Sequence, residues 1–353
     1  MKIALLEFPI GLPGGITTFK VNLKEALESK GFIANTFHIT LNTTRLPKLE
    51  GYKKIFGFKK KEWLDDYYNT LKEYDYLFFI TNCPHLLKNY KDEDWKKCYD
   101  ISKPKLAWIH DNYYEKYYPW YKEIPEKYNV KIVCPSNYHL EASLKLKGMK
   151  RIIPNIINYK DIGLYTEEKK DIIIDPNEFK SIKCKHLLAK QAAKINANII
   201  MFGHTDTLYY SNQKEIFNAP VPNLKILGWQ PTKVIYDYMK QSKVLVDLST
   251  RSNTSTFWDT VINEGVAYGN IILSQTPLCP TFKFNIITVN PNFIASEINN
   301  IIKNFQDFQT MRQENLIWLE HNLNPDILLQ QLLDYMQCNY SIEEPINNKL
   351  ALF

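Results

Sequence analysis

His110 and Asp111 close the apolar run KLAWI, so an imidazole and a carboxylate emerge side by side where a buried strand stops. A carboxylate in that place can orient an attacking hydroxyl or take its proton, and the ring beside it can contact a second polar group. The plain alternative is a core histidine followed by a helix-capping aspartate. Gly14 and Gly15 lie in GLPGGITTF, directly after the first apolar run KIALLEF, and open a helix with Thr17 in its first turn. Two glycines leave the backbone bare, so a diphosphate can approach N–H groups at a helix start, where the dipole favours negative charge. The segment is neither a Walker loop nor a complete GxGxxG, and a tight turn capped by Thr17 would read the same way.

Lys180, Lys183 and Lys185 in KSIKCKHLL stand where a loop passes into a helix. A lysine there is a point cation able to neutralise a departing diphosphate without a metal, although a solvated basic helix face has the same spelling. In TSTFWDTVINEGVAYG, the hydroxyls of Thr254, Ser255 and Thr256 precede a helix that carries Glu264 about two turns in. Hydroxyls suit phosphates or sugar hydroxyls, and a carboxylate accepts both hydrogens of a ribose diol. Exposed helix surface is the alternative for Glu264.

Two further stretches mix rings with cations. NYYEKYYPWYKE sets Tyr113, Tyr114 and other aromatics around Lys116, and YKKIFGFKKKEW sets Lys59, Lys60 and Lys61 among Tyr, Phe and Trp. Rings stack on bases or sugars and lysines take phosphates, whereas solvated loops with partial core packing explain both equally well. Residues 1–160 hold 27 Lys and Arg against 18 Asp and Glu, while the rest hold 17 against 20. The positive field therefore belongs to the first half, which fits either solubility or an acidic partner such as nucleic acid.

These groups need a scaffold that brings strand ends together. Unbroken apolar runs alternating with amphipathic stretches predict α/β architecture with parallel sheets covered on both faces. The alternation runs through residues 1–158, pauses in a polar stretch, and restarts at 169 with DIIID. Two Rossmann-like, doubly wound domains are expected, 1–158 and 169–320, followed by a C-terminal helix and tail at 321–353. Ligands in such sheets bind beyond the carboxyl ends of the strands, here in an interdomain cleft. The six cysteines stand apart with no CxxC pair, so reduced thiols and no metal centre are expected. No run is long and apolar enough for a membrane span, and the start reads as a buried strand rather than a leader, which predicts a cytoplasmic chain, in the host cytoplasm if viral.

The order of these pieces resembles the GT-B glycosyltransferases, above all the large retaining group with an early glycine turn and a late Glu-x7-Glu element. Within that fold, GITTF, KPKLAWIHD, VCPSNYHLEASLK and TVINEGVAYG are similar to the DNA α-glucosyltransferases of T-even phages. The resemblance implies a retaining hexosyl transfer from a UDP-sugar, UDP-glucose, to a 5-hydroxymethyl pyrimidine such as 5-hydroxymethylcytosine in double-stranded DNA, with no metal required. With the residues read above, donor contacts are expected at Gly14, Gly15, Thr17, Lys180, Lys183, Thr254, Ser255, Thr256 and Glu264, while the family's donor-sugar contacts do not carry over. Asp111 and His110 would serve the acceptor hydroxyl, with Lys59, Lys60, Lys61, Tyr113, Tyr114 and Lys116 on the DNA. Two departures stand out: the first glutamate of Glu-x7-Glu is Thr256, and Glu178 stands near the place of the usual arginine before the phosphate lysine. A glycan, lipid or protein acceptor is the alternative, and a non-catalytic GT-B-like binding module the second.

Overall fold

The structure is a computed structural model that describes residues 1–7, 15–38, 69–80, 98–109, 124–143, 147–157, 168–250 and 260–337. It divides into two units, one of residues 1–154 with 328–353 and one of residues 155–327.

In the first unit the apolar runs become strands β1 (Lys2–Glu7), β2 (Ile33–His38), β3 (Tyr76–Phe79), β4 (Lys105–Trp108), β5 (Val130–Cys134) and β6 (Lys150–Ile152). They form one sheet in the order β2-β1-β3-β4-β5-β6 with every neighbouring pair parallel. Four consecutive residues of β1, Ile3 to Leu6, are fully buried, which only a sheet covered on both faces allows. Helix α1 (Gly15–Ser29) makes the crossover from β1 to β2 that parallel pairing demands. Its Phe19 ring packs 4.6 Å from Trp108, the last residue of β4, and both side chains are buried. The start of α1 and the end of β4 are therefore held together. Helix α2 (Asn137–Ala142) follows β5, its first turn closed by Ser136 Oγ 2.8 Å from His139 Nδ1.

The second unit contains β7 (Lys170–Asp175), β8 (Asn198–Met201), β9 (Leu224–Ile226), β10 (Ser242–Asp247), β11 (Ile271–Ser274) and β12 (Ile287–Thr288). The sheet order is β12-β11-β10-β7-β8-β9, again all parallel. Helices α3 (Lys185–Gln191), α4 (Thr232–Gln241), α5 (Thr260–Ala267), α6 (Ile294–Lys303) and α7 (Gln309–Asn322) belong to this unit. Gly265 lets α5 lie low on the sheet: a Cβ there would stand 2.6 Å from Leu245 Cδ1 and 2.9 Å from Ile272 Cδ1.

Helix α8 (Pro325–Gln337) starts in the second unit, and from Leu328 onward it belongs to the first. Lys131 on β5 donates to the carbonyls of Tyr335 and Met336 at 2.8 and 2.7 Å, neutralising the negative end of that helix. Tyr335 Oη returns a bond to Ile132 O. Among the described residues no helix is long and apolar enough to cross a membrane.

Candidate functional site

Counting outward from β7, the second sheet runs to β8 and β9 on one side and to β10, β11 and β12 on the other. The chain reverses direction between β7 and β10, and ligands of open parallel sheets gather beyond the carboxyl ends at that point. Both strands end there in a fully buried aspartate. Asp175 Oδ1 accepts the N–H of Asn177 at 3.2 Å, and Asp247 Oδ1 accepts the N–H of Ser249 at 2.9 Å as well as the Ser249 hydroxyl. Each carboxylate caps the residue two positions on and so turns the chain out of the sheet. Across the switch point, Thr250 N donates to Ile182 O at 2.7 Å and tethers the loop after β10 to the loop after β7.

The lysines expected at this loop separate into two kinds. Lys185 is fully buried, with Nζ 2.8 Å from Asp175 Oδ1 and 2.9 Å from Asp175 O. Burial lowers its pKa from the ordinary lysine range, against the pull of Asp175 and, more weakly, Glu178 and Asp247. It is the counter-ion of the strand end, not a surface cation. Lys180, exposed, precedes the short 3-10 turn Ser181–Lys183, and Lys183, half-buried, is its last residue. The helix expected from the sequence does not begin at this turn. Cys184 takes a left-handed conformation with φ of 50°, and α3 starts only at Lys185. That break sends Lys183 and Lys185 to opposite environments although they are two residues apart.

Glu178, which stands near the place where the resemblance leads one to look for arginine, has a structural occupation. Its carboxylate accepts the N–H of His204 at 2.9 Å, and His204 Nδ1 lies 3.2 and 3.1 Å from its two oxygens. Gly203, at φ of 117°, makes that approach possible, because a Cβ there would meet Asn177 O, Glu178 Cα and Phe179 N at 3.0 Å each. The loops after β7 and β8 are thereby pressed together, and Gly203 N donates to Gly228 O to add the loop after β9. Trp229, 46% exposed, follows that glycine with its ring 6.2 Å from His204.

Glu264 lies on α5 and is almost buried at 9% exposure. Its Oε1 accepts the Tyr236 hydroxyl of α4 at 2.9 Å. The start of α5 is tied to the chain entering the unit by Asn155 Nδ2, 3.3 Å from Thr260 Oγ1. Lys180, Lys183 and Glu264 thus belong to one unit and to elements that leave its strands at their carboxyl ends. In the first unit Gly15 and Thr17 begin α1, on the helix that follows β1. Gly14, Lys59, Lys60, Lys61, His110, Asp111, Tyr113, Tyr114, Lys116, Thr254, Ser255 and Thr256 lie outside the described residues. The described neighbours of His110, Trp108 and Ile109, are both buried at the end of β4.

The sequence reading missed Asp175, Asp247, His204, Trp229 and Tyr236. An aspartate closing an apolar run, in DIIID and KVLVD, was the available signal for the first two. Among the described residues Cys98, Cys134 and Cys279 are buried free thiols and Cys184 is partly exposed, and burial raises the Cys134 pKa to about 11. No group of three or more His, Cys, Asp or Glu capable of holding a metal occurs among the described residues.

No protein-family model matches the chain, and no curated protein matches it in sequence. Solved structures match it over nearly its whole length. HepE from Anabaena, in complex with UDP and glucose, superposes with a TM-score of 0.69 at 15% identity, covering 95% of this chain and 98% of that one. An α-glucosyltransferase in complex with UDP and a 13-mer DNA containing an HMU base gives 0.66 at 12%, covering 96% and 100%. AviGT4, a glycosyltransferase involved in avilamycin A biosynthesis, gives 0.62 at 11%, covering 95% and 96%. The chain has the GT-B glycosyltransferase fold. What is shared at these identities is the architecture of two parallel sheets, and residue roles must be argued from this chain's own groups.

Proposed function

We propose that the chain transfers glucose from UDP-glucose to the hydroxymethyl group of a modified pyrimidine in double-stranded DNA, with retention at the anomeric carbon. The observation that carries the donor half is the cationic loop Lys180–Lys183, moored by Asp175, Asp247 and the Thr250–Ile182 bond at the switch point of a GT-B fold. A diphosphate bound over that loop meets fixed positive charge where its own negative charge grows as the sugar leaves, which is the interaction that favours a transition state over a ground state. Glu264 accepts the ribose hydroxyls, and the exposed ring of Trp229 offers a stacking face to the base. Gly14, Gly15 and Thr17 offer a bare backbone helix start to the diphosphate, and Thr254, Ser255 and Thr256 supply hydroxyls to the donor.

In the reaction the bond from the anomeric carbon to the diphosphate oxygen breaks, and the bond to the acceptor oxygen forms on the same face. The acceptor proton passes to the departing phosphate oxygen, with Asp111 orienting the acceptor hydroxyl and His110 beside it. The DNA half rests on the excess positive charge of residues 1–160, with Lys59, Lys60, Lys61, Tyr113, Tyr114 and Lys116 as contacts.

Incubation with labelled nucleotide sugars and hydroxymethylated DNA, with unmodified DNA as control, tests the whole proposal. Label from UDP-glucose in the hydroxymethylated DNA alone is the expected result. Label in a glycan, lipid or protein instead would keep the donor half and reject the acceptor. Nucleotide binding without transfer to any acceptor, or hydrolysis, would favour a binding module.

A further inference from the structure

Glu264 takes its geometry from a neighbour that the sequence pattern does not mark. Tyr236 lies on α4, which packs against β7 and β10, while α5 with Glu264 packs against β10 and β11. A hydrogen bond bridges the two helices, the Tyr236 hydroxyl donating to Glu264 Oε1 at 2.9 Å. The phenol ring packs on Tyr268, just beyond the end of α5, with ring centroids 5.3 Å apart. The direction of the hydroxyl is thus set by ring packing before any ligand arrives.

A carboxylate on a helix turns about its terminal torsion, which has a broad, shallow profile, so an unrestrained glutamate samples many directions for its lone pairs. A donor fixed on one oxygen removes that freedom. The remaining acceptor sites of an ionised carboxylate then point in a defined direction. A diol needs this, because its two hydroxyls are close together and both must find a lone pair at once.

We infer that Tyr236 is a positioning residue for Glu264, holding its carboxylate in the orientation that accepts the ribose hydroxyls of the nucleotide sugar. The inference rests on the ribose reading of Glu264 proposed above. Tyr236 touches no substrate; it acts through the carboxylate. Its contribution is therefore specific to the ribose diol and smaller for ligands that lack one of its hydroxyls.

Calorimetric titration of the full chain with UDP, 2′-deoxy-UDP and 3′-deoxy-UDP tests this in the unchanged protein, Tyr236→Phe and Glu264→Gln. Phenylalanine keeps the ring on Tyr268 and removes only the hydroxyl. The expected result is a UDP affinity about five- to tenfold lower in Tyr236→Phe, the effect of one hydrogen bond. The loss should be smaller for the deoxy analogues, each of which keeps only one of the two hydroxyls, and the thermal midpoint should fall by no more than a few degrees, since the ring packing is kept and only the bond to the nearly buried carboxylate is lost. In turnover the donor KM should rise with kcat little changed, the sign of lost uniform binding. Equal weakening of all three ligands would overturn the inference, as would a full preference for UDP in Tyr236→Phe while Glu264→Gln loses it. That second outcome leaves Glu264 as the ribose group. A full preference in Glu264→Gln would instead remove the ribose reading, and the role of Tyr236 with it.

Discussion

Lys183 and Lys185 show how little a residue's type says about its work. Lys185 has no exposure and ion-pairs with Asp175, so Lys185→Met leaves a buried carboxylate uncompensated and should cost about 3–5 kcal/mol of stability, read by urea denaturation. Lys183→Ala should leave the denaturation midpoint nearly unchanged and lower kcat by about a hundredfold, the usual loss when a preorganised transition-state charge is removed. Lys169, just before β7, gives a pH signature of its own. It donates to Met239 O and Tyr268 O, and burial, helped by the Arg312 charge, lowers its pKa to about 7. An unfolded lysine titrates near 10.4, so between about pH 7 and 10 the unfolded chain holds a proton that the folded chain has released. Stability from this group therefore rises with pH through that window and is flat below it. Between pH 7 and 9 the unfolding free energy of the unchanged protein should gain about 2 kcal/mol on that of Lys169→Met.

At the scale of elements, the Lys180–Lys183 loop owes its shape to backbone features on neighbouring strands. Gly203 follows β8, yet it governs the loop after β7, because any Cβ at its φ of 117° would press on Asn177, Glu178 and Phe179. Gly203→Ala should cost about 1–3 kcal/mol from strain alone, and should also weaken UDP binding by displacing the Lys180–Lys183 turn, both measurable in one calorimetric series. The strands were legible as apolar runs: KIALLEF gives β1 and KVLVDLS gives β10. The break at Cys184 was not legible. A cysteine at positive φ has no signature in a single sequence, and the run SIKCKHLLAKQ keeps a helical pattern across it. FNIITVN also reads as a full strand, whereas β12 spans only Ile287–Thr288 at the edge of its sheet, where a single neighbour supplies pairing.

For the molecule as a whole, charge is the property that reports on the acceptor. Binding to hydroxymethylated DNA should weaken linearly on a log–log plot against salt, and changing Lys59, Lys60 and Lys61 together to Glu should reduce the slope by about two to three. An unchanged slope would take those lysines out of the DNA path. The C-terminal helix belongs to this scale too. Its residues from Leu328 onward pack with the first unit, through Lys131 and Ile132 of β5, although the intervening residues 155–327 build the second.

By itself the sequence determined that this is an α/β chain of alternating strands and helices, because hydrophobic period and apolar run length are local properties. It also determined which residue types stand in the segments after the strands, including the lysines of KSIKCKHLL and the Glu264 of the following helix. Strand order, and with it the switch point between β7 and β10, came only with the tertiary structure, since parallel pairing joins residues dozens of positions apart and leaves no local mark. The same holds for the division of labour around Glu264 and Lys183. Tyr236 meets Glu264 across 28 positions, Glu178 meets His204 across 26, and Lys185 disappears into the core because Asp175 is already there.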